Sequence, residues 1–295
     1  MIAGRQGFVN VLGFRLFFRT VGAPTAGTVL CLHGGPGATH DYLAPLTDLA
    51  EEGYQVVLFD LLGCGRSELP ADHGLFTLEH NVEEVEGIRA GLHLGRVHLV
   101  GSSYGGLLAL AYALRYPEHL RSLVTVGGLA SVPFAAQEMG RLKRTLPPSV
   151  QGTFAKYEER GEFQAPEYLE AVEMFYRQFV CRLDPWPAEV RHSFEMTGQR
   201  PVYATMNGPN EFTITGNIRD IDISGQLGSL RVPTLVLGGR FDEVTPRVAQ
   251  QIADGIPGAR RVEFAESSHL PFWEERARFR TVVTEFLRSV DAKVA

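Results

Sequence analysis

Gly101-Ser102-Ser103-Tyr104-Gly105 stands between an apolar run, Val97–Val100, and a stretch of helical character from Gly106 to Tyr116 that stops at Pro117. A serine two residues from a glycine on either side, where a strand turns sharply into a helix, can be held in a strained backbone with its hydroxyl projecting clear of the sheet. That places Ser103 as a nucleophile, and the Tyr104 amide, at the helix N-terminus, as a donor to a developing oxyanion. The competing reading is a Ser-Ser helix N-cap with no chemistry. Ser102 does not fit the GxSxG register.

Three further segments supply what such a serine needs. After an apolar run ending at Leu32 comes His33-Gly34-Gly35-Pro36-Gly37, a backbone able to turn N–H groups inward, with Gly35 as the second oxyanion donor. On its own it reads as an ordinary glycine-rich turn. His33 is read as a brace for the loop. Downstream, Thr234–Leu237 runs into Gly238-Gly239-Arg240-Phe241-Asp242, and Arg261–Phe264 runs into Ala265-Glu266-Ser267-Ser268-His269. An acid and a base just past strand ends share the rim of the sheet with the serine. His269 would take the Ser103 proton and return it to the leaving amine, and Asp242 would fix the tautomer and stabilise the imidazolium. Glu243 is a less suitable acid by register. His40, His73, His80, His93, His98, His119 and His192 fall on helices, mid-strand or in the middle segment and are read as packed or surface residues. Loop, serine turn, acid and base occur in the chain order of the α/β-hydrolase fold.

The elements that must position these residues follow from the apolar pattern. Residues 8–21 are rich in Val and Phe and broken at Gly13, which predicts an antiparallel hairpin. Val29–Leu32, Gln55–Phe59, Val97–Val100, Leu123–Val126, Thr234–Leu237 and Arg261–Phe264 are short runs separated by helix-length segments, as in a mostly parallel sheet with helices on both faces. From Ser131 to Ser224 the chain changes to charge-studded helical stretches, such as 165–183, punctuated by Pro147, Pro148, Pro166, Pro185, Pro187 and Pro201. The expected organisation is a core from 1–130 and 225–295 with a helical cap, 131–224, inserted between two strands.

Composition excludes several classes. Apolar residues make up 44% and charged residues 21% of 295, as in ordinary globular proteins. A net charge of −6 without a basic run argues against nucleic acid or an anionic membrane as partner. Gly4, Arg5, Gln6, Gly7 and Asn10 interrupt any leader or membrane segment. Cys31, Cys64 and Cys181 are odd in number and form no CxxC, so a reduced, cytoplasmic protein is expected. HExxH, GxxxxGK[ST] and a strand-anchored GxGxxG are missing, so no metal and no cofactor is expected. Gly63-Cys64-Gly65 lies in a loop after Asp60, with Cys64 read as a small buried residue near the site.

HGGPG, GCGRS, GSSYGG, the segment Met206-Asn207-Gly208-Pro209-Asn210-Glu211-Phe212-Thr213, Asp242-Glu243-Val244-Thr245-Pro246 and SSHLPFWEE, in this order, resemble the proline iminopeptidase family, closest to its tricorn-interacting aminopeptidase branch and near its amino-acid amidases. The likeness runs through essentially the whole chain. One departure is visible: the family commonly has Asp-Gln before GCGRS, where this chain has Asp60-Leu61-Leu62-Gly63. The resemblance implies release of the N-terminal residue, proline or another apolar one, from short peptides, with Glu211 and Glu243 binding the free α-amine. Without the resemblance Glu211 would read as a solvated carboxylate. The side-chain pocket is expected to be apolar, built from cap aromatics and the HGGPG loop. Two alternatives stand beside this reading: an amidase or esterase acting on amino-acid amides or small esters, and a ligand receptor that kept the fold without catalysis.

Overall fold

The computed structural model describes residues 4–293. Strands β1 (Gly4–Val11) and β2 (Phe14–Val21) form the expected hairpin, turned at Leu12 and Gly13 with positive φ at both. They are followed by β3 (Gly27–Leu32), β4 (Tyr54–Phe59), β5 (Val97–Ser102), β6 (Leu120–Val126), β7 (Thr234–Gly239) and β8 (Arg260–Phe264). One eight-stranded sheet results, in the order β1-β2-β4-β3-β5-β6-β7-β8, antiparallel at β1–β2–β4 and parallel from β4 onward. Strands β3 to β7 are buried almost throughout, which is why they read as unbroken apolar runs and not as alternating ones. All six predicted runs are strands, each extended by one to three residues at one end.

Helices cover both faces. α1 (Leu78–Gly91) and α2 (Tyr104–Arg115) lie in the first half of the chain; α8 (Pro246–Gly255), α9 (Pro271–Glu274) and α10 (Arg276–Asp291) lie in the last part. Between β6 and β7 come α3 (Val132–Lys143), α4 (Pro148–Arg160), α5 (Pro166–Phe179), α6 (Ala188–Gln199) and α7 (Pro201–Met206). Five of the six prolines that punctuate this stretch start helices, Pro185 being the exception. Pro148, Pro166 and Pro201 occupy first-turn positions, where no N–H is needed, and Pro147 and Pro187 sit at N-caps. The helix expected over 165–183 ends at Phe179, where the carbonyl of Phe179 accepts from Glu243 N–H and the next turn is drawn off as Arg182 N–H bonds to Glu274. His40–Glu52, for which the apolar pattern gives no element, forms a 3-10 segment containing Pro45. His93 lies in the turn after α1 at φ 56°, not on a helix. No helix among the described residues is long and apolar enough to cross a membrane.

The chain leaves and re-enters the sheet layer at one point. Val132 N–H donates to Ile221 O (2.9 Å), Ile223 N–H to Ala130 O (2.8 Å), and the Ser131 hydroxyl to Asp222 Oδ2 (2.8 Å). The five helices are therefore tied off at their base and sit over the ends of β3, β5, β6 and β7.

Across the middle strands β4, β5 and β6, α10 is pinned by a partly buried polar cluster. His98 Nδ1 is 2.8 Å from Ser122 Oγ, and its Nε2 lies 3.2 Å from Asp291 Oδ1. Asp291 also accepts from Tyr54 Oη (2.8 Å) and Arg121 (2.9 Å). Burial outweighs the pull of Asp291 and lowers the His98 imidazole to about 4. An unfolded histidine takes up its proton near pH 6.5, so between those values the unfolded chain binds more protons and stability rises with pH. Thermal unfolding should therefore lose on the order of 2–3 kcal/mol of stability as pH falls from about 6.5 to about 4. In His98→Asn, scanning calorimetry should show a lower plateau but a much flatter dependence over that window. An unchanged slope would mean other groups set the acid limb.

Candidate functional site

Ser103 sits at the joint of β5 and α2 with φ 59° and ψ −127°, a left-handed conformation rare for a residue with a Cβ. The strain is held from both sides: Ser103 N–H donates to Val126 O on β6 (2.9 Å), and Ser103 O accepts from Gly106 N–H (2.7 Å). The turn also needs close backbone approach. A Cβ on Gly34 would lie 2.6 Å from the Ser103 Cβ, and one on Gly105 would lie 2.4 Å from Leu32 O. The glycine loop after β3 thus packs directly against the serine turn. Ser103 makes no side-chain capping bond to α2, so the N-cap reading fails on geometry.

Within the glycine loop, the Gly34 N–H is taken by Tyr42 Oη (2.7 Å). Gly35, at φ 105°, lines the cavity beside Ser103. Tyr104 is the first residue of α2, whose leading amides have no intrahelical acceptor. His33 braces the loop as its position suggested. Its Nε2 accepts from Leu61 N–H (3.1 Å), which leaves Nδ1 protonated to donate to Gly34 O (3.0 Å). Cys64 is fully buried in the apolar core and does not line the cavity. The departure at Leu61-Leu62 puts both side chains into the core, while the Leu62 N–H binds the buried Glu84 (2.7 Å).

Asp242 and His269 emerge from the loops after β7 and β8, and Asp242 Oδ1 meets His269 Nδ1 at 2.6 Å. Both are buried, at 1% and 4% exposure. The histidine loop is shaped by two carboxylates that sequence reasoning missed. Glu274 accepts from the Ser268 N–H and hydroxyl (2.7 Å each), and Glu275 from the Ser267 hydroxyl (2.7 Å) and Glu266 N–H (3.1 Å). The signal was in the SSHLPFWEE segment, as paired serines and paired glutamates a helical turn or two apart. His269 Nε2 makes no hydrogen bond among the described residues, so its pairing with Ser103 is not closed here. Catalytic hydrogen bonds of this kind commonly tighten only with substrate bound.

Glu243 follows Asp242 and is 2% exposed, with its N–H bonded to Phe179 O at the end of α5 (3.1 Å). Its Oε1 lies 3.9 Å from His269 Nε2, and its Oε2 has no hydrogen-bond partner among the described residues. Glu211 comes from the loop after α7, shaped by Asn207, which binds Asn210 O, and by Asn210, which binds Tyr168 Oη. Its N–H reaches Tyr176 Oη (3.4 Å). Both glutamates line one cavity of about 270 Å³ together with Gly35, Ser103 and His269. Aromatic side chains Tyr42, Phe163, Tyr168, Tyr176, Phe194 and Tyr203 make up much of its wall.

The electrostatics follow from this crowding. Burial pushes Glu211 up to about 7, with the Tyr203 hydroxyl and His269 opposing it. Burial and the nearby Glu211 push Glu243 well above the usual carboxylate range. Burial alone would lower His269, but Asp242, Glu243 and Glu211 override it and raise the imidazole to about 9. The site can present a hydroxyl nucleophile, an imidazole and two backbone donors to a carbonyl group, and two further carboxyls to a cation.

With the strand order and this rim in view, the chain matches the alpha/beta hydrolase fold family over residues 27–276. Among curated proteins it is 46% identical over 284 residues to the proline iminopeptidase of Thermoplasma volcanium, covering 96% of both chains. It is 43% identical over 287 residues to that of Saccharolobus solfataricus, covering 97% of this chain and 93% of the other. The solved structure of the Mycobacterium smegmatis proline iminopeptidase superposes with a TM-score of 0.93 at 34% identity, covering 99% and 100%. That of VinJ superposes with a TM-score of 0.94 at 39% identity, covering 97% and 99%. The chain belongs to the proline iminopeptidase family of α/β hydrolases.

Gly127, at φ 55° just past β6, leaves room for the acid–base pair: a Cβ there would lie 2.6 Å from His269 Nδ1 and 3.0 Å from Asp242 Oδ2. Gly127→Ala should fold, as circular dichroism will show. Its kcat/KM should fall about 100-fold or more, since a displacement of about 1 Å suffices for that. A loss under about threefold would show that the pair tolerates the displacement.

Proposed function

We propose that this protein is a serine aminopeptidase that removes the N-terminal residue, proline or another apolar one, from short peptides through an acyl-enzyme. Ser103 is the nucleophile, His269 the base and Asp242 its orienting acid. Gly35 and Tyr104 N–H groups receive the oxyanion, and Glu211 with Glu243 holds the substrate's α-ammonium. The observation that carries the reading is the carboxyl pair beside Ser103, Glu243 buried and Glu211 half-buried, with no lysine or arginine among the residues lining the cavity. Such a pair is costly to bury unless a cation arrives. A free peptide N-terminus brings one, and an internal peptide bond does not.

The geometry then orders the reaction. With the ammonium between the glutamates, the carbonyl of the first residue lies toward Ser103. Ser103 Oγ attacks the carbonyl carbon as His269 Nε2 takes its proton, and the oxyanion is met by the two amides. Collapse breaks the C–N bond, and His269 gives its proton to the departing amine of the second residue. Water, deprotonated by the same imidazole, attacks the Ser103 ester, and the first residue leaves as a free amino acid. Residues 131–224 act as a cap that closes the upstream end, and Tyr168, Tyr176, Phe194 and Tyr203 enclose an apolar first side chain. One methylene is worth about 1–3 kcal/mol in such a pocket, so discrimination among apolar first residues is expected to be graded. The partners are short peptides or amino-acid amides with a free amine. A reduced, cytoplasmic setting suits the three buried free thiols.

The test is paired kinetics on Pro-β-naphthylamide, prolinamide, a tripeptide beginning with proline and its N-acetyl counterpart. The tripeptide should be cleaved and the acetylated one lose about 100-fold or more in kcat/KM. Ser103→Ala should lose about 10⁴-fold or more on every substrate. Glu211→Gln should impair free-amine substrates far more than N-acyl esters. Hydrolysis of prolinamide with no cleavage of any peptide would make the protein an amidase.

A further inference from the structure

Asp242 and Glu243 are consecutive residues, yet they reach opposite nitrogens of one ring. Asp242 Oδ1 is 2.6 Å from His269 Nδ1, and Glu243 Oε1 is 3.9 Å from Nε2. Nε2 is the nitrogen that must receive the Ser103 proton, and among the described residues it has no hydrogen bond, to Ser103 or to any other group. The groups facing the ring are Asp242 and Glu243 from the loop after β7, Glu211 from the loop after α7, Ser103 from the β5–α2 turn, and the Gly127 backbone after β6. Behind the histidine loop Glu274 is occupied by Ser268. The ring therefore faces three carboxyls and no competing cation in the cavity wall.

We propose that Glu243 gates the catalytic base: in the empty site it pairs with the protonated Nε2 of His269, and the substrate's α-ammonium, by taking over Glu243, releases that nitrogen to serve Ser103. The inference rests on the amine-binding reading of Glu243 and extends it. An imidazolium has no lone pair on Nε2, so it cannot accept the serine proton. The imidazolium and the carboxyls stabilise one another's charge: the ring opposes the burial that would neutralise Glu211 and Glu243, and the carboxyls raise His269 to about 9. A substrate ammonium between Glu211 and Glu243 offsets their charge and opposes a second positive charge on the ring nearby. His269 then gives its Nε2 proton to solvent, and the neutral imidazole becomes a base. Asp242 stays on Nδ1 throughout and keeps the tautomer. The amine is thereby read twice, once in binding and once in switching on the base, and a blocked N-terminus that reaches Ser103 meets an imidazole that is mostly protonated at neutral pH.

The readout is inactivation by a small neutral fluorophosphonate, which needs the Ser103–His269 pair but brings no amine. Its rate constant is measured against pH for the wild type, with and without pyrrolidine, a cation that fits the amine site and has no carbonyl to cleave. The wild-type midpoint should lie near pH 9. Saturating pyrrolidine should move it down by about one unit or more, and Glu243→Gln should move it down by a similar amount without pyrrolidine. In Glu243→Gln added pyrrolidine should shift the midpoint no further. Reading the midpoint separates the gate from any crowding by pyrrolidine, which changes only the plateau. An unmoved wild-type midpoint, with pyrrolidine still competing against peptide cleavage, overturns the gate and leaves amine binding intact. Pyrrolidine that does not compete, with KM for the tripeptide unchanged in Glu243→Gln, overturns the amine-binding reading itself. The wild-type arm requires no variant, so a poorly folding Glu243→Gln does not suspend the decision.

Discussion

Three carboxyl groups gathered around one buried imidazole are the constraint on which the rest of this structure turns. A single carboxylate in an apolar interior is expensive, and three that outnumber their only cation are more so. Asp242 Oδ1 is met by the imidazole and by the Val244 N–H (2.8 Å), but Asp242 Oδ2 and Glu243 Oε2 have no hydrogen-bond partner among the described residues. On the proposed reading, the deficit is what a substrate ammonium would supply. The aromatic wall keeps the local dielectric low, which raises both the cost in the empty site and the gain on binding.

Holding that arrangement requires the two halves of the molecule to act as one. The acid loop is fixed from the helical insertion: Glu243 N–H bonds to Phe179 O, and the buried Glu138 of α3 binds the Thr245 hydroxyl (2.9 Å) and Arg247 (2.7 Å) at the start of α8. The histidine loop is fixed from α9 and the start of α10 through Glu274 and Glu275. The serine turn is held by backbone hydrogen bonds, with the Tyr104 hydroxyl donating to Asn81 Oδ1 (2.7 Å) behind it. Each reacting group thus has a separate anchorage, and the insertion that carries Glu211 is also bonded to the strand ends that carry Glu243.

What could be read from the sequence divides along physical lines. Parallel strands buried on both faces leave unmistakable apolar runs, and the serine turn, glycine loop and two strand-end residues are local features with fixed order. The hairpin, the strands and the helical character of 131–224 were all legible for that reason. The 3-10 segment His40–Glu52 was not, because its form depends on packing against β4 and α6 and not on a 3.6-residue period. Neither were the cavity aromatics. Tyr42, Tyr168 and Tyr203 come from three separate segments, and nothing in their local sequence says which faces a common space. Glu211 was legible only through a resemblance, since a lone carboxylate in a polar loop carries no signal of burial.

A second array of serine, histidine and aspartate, in the cluster that pins α10, contrasts with the one at the cavity. Ser122, His98 and Asp291 have the right residue types, and Ser122 Oγ sits 2.8 Å from His98 Nδ1. Yet Ser122 lies within a strand, both it and His98 are 0% exposed, and neither lines a cavity among those described. Burial without neighbouring excess charge drives His98 down to about 4, so it stays neutral and pins a helix. Ser103 and His269 are less tightly joined, but Ser103 is on a strained turn at a cavity wall, and the ring beside it faces three carboxyls that it alone cannot balance. Residue types and close distances are shared by both arrays. Access, backbone strain and an unbalanced charge that a ligand can correct belong to only one.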